Sequence, residues 1–154
     1  MKTILVPVDL SAVTSRICRM ACDLAATVKA RMVLLHVVQP PPVIMSDAYA
    51  FDAGQMASLL ATAEKVSARK LAQFGRACEK RVGKVLTVQR TGQPVAVILD
   101  RANAVKADYI VLGSHGHGAV YDLLMGSTTQ GVLRKARCPV LVVPASAGRK
   151  RGGR

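Results

Sequence analysis

Tyr109-Ile110-Val111-Leu112-Gly113-Ser114-His115-Gly116-His117-Gly118 decides the fold of this chain. A short apolar run passes directly into a glycine-rich turn. An apolar, helical-looking stretch follows, and then Gly126-Ser127-Thr128-Thr129. A strand that ends in a glycine turn and feeds a helix is the repeating unit of a parallel α/β sheet. Backbone amides without side chains, with Ser/Thr hydroxyls at a helix start, also form what a phosphate chain needs.

Working outward, the same unit recurs. Lys2 to Val8 is an apolar run ending at Asp9, and Ser11 is placed to cap a helix reaching about Ala30. Residues 31–38 form a second strand, stopped by Gln39 and three prolines, and residues 39–53 read as a long loop. A long helix is predicted over 53–81, its apolar stripe being Met56, Leu59/Leu60, Ala63, Val66, Leu71, Phe74 and Cys78. Lys65, Arg69, Arg76 and Lys80 mostly fall away from that stripe. A strand follows over 84–90, then a helix from Gln93-Pro94 to about Lys106. The strand at 108–112, a helix from about Ser127 to Arg137, and the strand Val140–Val143 complete the order. Five strands alternate with four helical connections, and no hairpin signal occurs. The reading is one α/β domain over residues 1–145, a doubly wound parallel sheet with helices on both faces. Residues 146–154 read as a disordered basic tail. If the strand order is 3-2-1-4-5, strands 1 and 4 lie side by side, and a ligand crevice is expected beyond their carboxyl ends.

Composition narrows the function classes. The 154 residues are 51% hydrophobic, but only 3% are aromatic and none is Trp, so Val, Leu, Ile and Ala must fill the core. No apolar run reaches a membrane span, and the N-terminus does not read as a secretory signal, so the expected location is the cytoplasm. Cys18, Cys22, Cys78 and Cys138 show no CxxC pair or metal-ligand spacing and read as reduced, packed thiols. Cys18 and Cys22 share a helix face. His115 and His117 lack an evident third ligand, so no metal site is assigned. The net charge is +13, and Arg149, Lys150, Arg151 and Arg154 supply four of it, leaving +9 on residues 1–148. The rest of the excess concentrates between Lys65 and Arg90. Such charge suits a polyanion, including nucleic acid, and suits equally a solvated face. No aromatic platform for single strands is present.

The spacing Gly113-x2-Gly116-x9-Gly126-Ser127 resembles the nucleotide-binding signature of the universal stress protein family. Pro7-Val8-Asp9, His36-Val37 and Cys138-Pro139-Val140-Leu141-Val142-Val143 are similar to that family at the expected places, so the resemblance covers residues 2–144. It implies the five-stranded 3-2-1-4-5 fold and ATP as ligand (or AMP or ADP), with or without Mg. It puts Asp9 and Val37 at the adenosine end, with Pro7 and Val8 walling the base. Gly113, His115 and Gly116 would follow the ribose and phosphates, while Gly126, Ser127, Thr128 and Thr129 cradle phosphate oxygens. His117 stands where the family often has Lys or Arg, and would give a weaker, pH-sensitive phosphate contact. A homodimer through Val140–Val143 is also implied. No Walker A pattern occurs. With no Lys or Arg inside the motif, the expected role is a stress or regulatory protein that holds nucleotide, without catalytic residues. A slow ATPase or phosphotransferase, and a basic nucleic-acid-binding module, stay open as alternatives.

Overall fold

The computed structural model describes residues 1–40, 53–114 and 125–145. The elements run β1 (Lys2–Val8), α1 (Thr14–Val28), β2 (Ala30–Val38), α2 (Ala53–Val82), β3 (Val85–Thr91), α3 (Pro94–Ala104), β4 (Tyr109–Gly113), α4 (Ser127–Lys135) and β5 (Val140–Val143). They build one five-stranded sheet in the order β3-β2-β1-β4-β5, with every pairing parallel. The expected architecture is therefore the observed one.

The strands read as nearly unbroken apolar runs because both sheet faces are covered. Ile4, Val6, Val8, Met32 and Leu34 point to one face, where they pack with Ile17, Cys18, Ala21 and Cys22 of α1 and Leu71 and Cys78 of α2. Leu5, Val33, Leu35, Ile110 and Leu112 point to the other, against Ile98 and Ala102 of α3 and Val132 of α4. Asp108 fastens β1 to β4 at their amino ends: its carboxylate accepts the Thr3 N–H at 2.7 Å, and its own N–H donates to the Thr3 carbonyl at 2.8 Å.

The start of α1 differs from expectation. The helix begins at Thr14, and its N-cap residue Val13 makes no side-chain cap. The Ser11 hydroxyl is buried without a partner among the described residues. The Asp9 carboxylate instead accepts the Ser11 N–H at 3.1 Å and the Thr14 hydroxyl at 3.5 Å. A carboxylate accepts more strongly than a hydroxyl, and Leu10, at φ 62°, turns the chain so that Asp9 faces the helix start. At the other end, α1 stops at Val28, because Lys29 takes the left-handed conformation (φ 53°) and closes the helix through its N–H to the Ala25 carbonyl.

The stripe expected along α2 is realised in its C-terminal half, where Leu71 and Cys78 are buried. In the N-terminal half, Leu59 is 58% exposed and Val66 is 49% exposed. The expected loop over 39–53 and the basic tail lie almost wholly outside the described residues.

Candidate functional site

The carboxyl ends of β1 and β4 part from one another. The ladder between these strands pairs Ile4 with Tyr109 and Leu5 with Ile110, and it ends there, while β1 continues to Val8 and β4 to Gly113. The connections change direction between these two parallel strands, since β2 and β3 extend the sheet to one side and β4 and β5 to the other. A crevice at such a switch point is where open α/β sheets take ligands. Here it opens into a cavity of about 540 Å³.

Each candidate residue within the described chain lines that cavity: Pro7, Val8 and Asp9 from the end of β1, Val37 from β2, Gly113 from β4, and Gly126, Ser127, Thr128 and Thr129 from the start of α4. Segments more than a hundred residues apart in sequence thus share one opening. His115, Gly116 and His117 lie outside the described residues.

The start of α4 is built for exposure of its amides. Gly126 is the N-cap residue, and no side chain caps the helix. The Thr129 hydroxyl turns inward instead and donates to the Gly113 carbonyl at 2.7 Å, tying the first turn of α4 to the last residue of β4. The first-turn N–H groups of a helix lack intrahelical acceptors and carry the positive end of its dipole, so this end of the cavity favours an anion. Gly126 has φ −60° and ψ 151°, an ordinary extended conformation. Positive φ is thus not what glycine supplies here.

Ser114 holds the surroundings together. Its N–H donates to the Val143 carbonyl at 2.8 Å, its carbonyl accepts the Gly126 N–H at 2.8 Å, and its hydroxyl accepts the Ala145 N–H at 3.1 Å. The end of β5, the end of β4 and the entry to α4 meet at this one residue.

Several lining residues escaped the sequence reading. Ile17, Ala63, Ser67, Pro94 and Ile98 contribute walls from three helices, and Gln39 stands at the mouth beyond β2. Nothing in their local sequence marks them, because which helical residue faces a crevice depends on how the crossover packs. His36 had a signal, its place at the end of a buried strand beside Val37. Its Nδ1 lies 2.9 Å from the Val8 carbonyl. A carbonyl only accepts, so Nδ1 carries the proton, and in the neutral ring Nε2 is left as an acceptor. On α2, the Ser67 hydroxyl donates to Gln89 Oε1 at 3.0 Å, and the Gln89 amide donates to the Glu64 carbonyl at 3.0 Å. These bonds fix the wall formed by Ala63 and Ser67 against β3. Among the described lining residues Asp9 carries the one carboxylate, and no Lys or Arg joins it. Among the described residues, no group of three His, Cys, Asp or Glu could hold a metal ion.

Comparison with known proteins gives a consistent picture. The model of the universal stress protein family matches residues 1–144. A universal stress protein of Thermus aquaticus is 37% identical over 142 residues, covering 92% of this chain and 98% of that protein. Among solved structures, the universal stress protein UspA of Lactobacillus plantarum superposes with a TM-score of 0.79 at 27% identity, covering 92% of this chain and 97% of its own. A universal stress protein family protein of Arabidopsis thaliana, solved with AMP bound, shares the fold at a TM-score of 0.64 and 18% identity, covering 96% of this chain and 94% of its own.

Proposed function

This chain belongs to the universal stress protein family, and from that membership we propose that it binds ATP as a nucleotide-responsive regulatory protein without dedicated catalysis. The observation that carries the reading is the pairing across one cavity of Asp9, beyond β1, with the uncapped start of α4, and with Gly113 between them. The Asp9 end takes the adenosine, with Pro7, Val8 and Val37 against the base. Gly113 lets the phosphates pass close to the backbone. Gly126, Ser127, Thr128 and Thr129 receive the phosphates, together with His115, Gly116 and His117 of the intervening segment. That a fold neighbour was solved with AMP bound supports an adenine nucleotide.

The residues present fit such a ligand. An anion is favoured where helix amides point without a side-chain cap, and the hydroxyls of Ser127 and Thr128 add donors. Mg²⁺ bound with ATP would draw most of its ligands from the phosphates and water. Holding fits better than hydrolysis, because no described lining residue is a Lys or Arg able to offset charge developing on a transferred phosphoryl group. A cytoplasmic setting belongs to the same proposal; no helix among the described residues is long and apolar enough to cross a membrane.

The test is native mass spectrometry of the purified protein for co-purified adenine nucleotide, with calorimetric titration of ATP, ADP and AMP. Gly126→Val is expected to keep the fold, since valine accepts the extended backbone at 126. It is expected to weaken ATP at least tenfold, about 1.4 kcal/mol. Absence of bound nucleotide together with no heat of binding would overturn the reading. Steady phosphate release that disappears in Gly126→Val would replace it with an ATPase.

A further inference from the structure

α2 carries six cations and two carboxylates over Ala53–Val82. Four of those cations form a row. At about 100° per residue, Lys65, Arg69, Arg76 and Lys80 fall within about 60° of arc, spread over about 22 Å of helix axis. All four are exposed. The row lies on the side of the helix away from Leu71 and Cys78, which are buried against α1 and the sheet. Thr62 and Gln73 fall on or beside the same line, the Thr62 hydroxyl donating to the Ser58 carbonyl at 2.9 Å, and no carboxylate interrupts it. Glu64 faces elsewhere and accepts the Thr91 hydroxyl at 2.6 Å. Glu79 flanks the row and forms no ion pair with it. Among the described residues the ion pair is Arg81 with Asp23, at 2.8 Å, which lies outside the row.

This arrangement works against the helix that bears it. Lys65 with Arg69, and Arg76 with Lys80, are like-charge pairs at i,i+4, the spacing at which opposite charges would stabilise and like charges oppose folding. Both pairs of the row are of the unfavourable kind. A polyanion lying along the row converts that repulsion into attraction.

We propose that the exposed face of α2 is a docking surface for double-stranded DNA, engaged through the phosphate backbone and without sequence preference. Charge complementarity carries the choice. Duplex DNA bears one negative charge per about 1.7 Å of axis, and a straight row of cations meets a stiff duplex without bending it. The row contains no aromatic residue on which an unstacked base would sit, which disfavours single strands. A lipid surface requires an apolar face beside the cations. Here that face is occupied by the core, and Leu59 and Val66 alone flank the row as exposed large apolar groups on this helix.

The measurement is fluorescence anisotropy of a labelled 20-base-pair DNA duplex against the full chain from 50 to 200 mM KCl. Four phosphate contacts give a log–log salt slope of about −3.6, so the row's share of affinity falls about 150-fold over that range. The variant K65Q/R69Q/R76Q/K80Q is expected to remove about three to four from the slope and to keep or raise the melting temperature, since it relieves like-charge pairs. A second full-length variant, R149Q/K150Q/R151Q/R154Q, separates the tail: the row's share must persist in it. An unchanged slope in the first variant overturns the proposal, as does the absence of DNA binding at 50 mM KCl. Tighter binding to duplex RNA, or to phosphatidylserine vesicles, overturns it as well.

Discussion

At the scale of single residues, Thr129 and the thiols do the most telling work. The Thr129 side chain is buried, and its hydroxyl satisfies the Gly113 carbonyl. Thr129→Val keeps the shape and strands that carbonyl, so the expected loss is about 1–3 kcal/mol in urea denaturation. Cys18, Cys22 and Cys78 cluster where α1 meets α2, and all are buried and reduced. The Cys78 thiol donates to the Cys18 sulfur, which together with burial holds Cys78 well above the ordinary thiol range. Burial, reinforced by Cys78, pushes Cys22 from 9.0 up to about 12. The folded state therefore keeps a proton at Cys22 that the unfolded chain releases. Its contribution to stability is complete below about pH 9 and is lost as pH rises towards 12. Melting temperature is expected to fall over that alkaline window. Titration at pH 8 with a neutral disulfide reagent should find Cys138 alone reactive in the native protein and all four thiols reactive in denaturant.

At the scale of elements, close helix contacts carry the argument. Gly131 lets α4 approach α3: a Cβ there would stand 2.7 Å from Cγ2 of Val95. Valine is stiff at χ1 and yields little. Gly131→Ala would gain about 1 kcal/mol of intrinsic helix propensity, yet it is expected to destabilise on balance, by about 1–2 kcal/mol in a denaturant midpoint comparison. The elements were legible in the sequence to different depths. The strands stood out because burial on both faces leaves polar residues no place within them, so Ile4-Leu5-Val6 and Ile110-Val111-Leu112 read without ambiguity. The helix stripe on α2 was legible as a pattern, but its periodicity said nothing about what would cover Leu59 and Val66, and no described element buries them. Ser11 does not cap α1, because the helix begins three residues later, at Thr14, whose hydroxyl donates to the Asp9 carboxylate. In the site, the strand ends were readable by position alone. The helical walls, Ile98 or Ser67 for example, depend on packing angles that no local pattern records.

At the scale of the molecule, β3 and β5 are the sheet edges. β5 is short, and Leu141 is 39% exposed on it. An unpaired edge of apolar residues invites a second strand. We propose a homodimer through Val140–Val143, for which sedimentation velocity at micromolar concentration should show twice the chain mass. Val142→Pro, which removes a backbone donor and favours no ladder, is expected to shift the protein towards monomer. A monomeric native protein would refute the assembly.

The bond from the Gly126 N–H to the Ser114 carbonyl has a consequence for how this architecture tolerates change. It joins the two residues that bracket positions 115–125, and Ser114 is itself anchored to Val143 of β5 and to Ala145 just beyond it. The sheet and α4 are thus bolted together independently of how much chain runs between them. Ser114→Pro, which removes the N–H to Val143 and the hydroxyl to Ala145 while keeping the carbonyl, is expected to cost about 2–4 kcal/mol in denaturation experiments. A change at the edge strand β5 therefore reaches the start of α4 through this one residue.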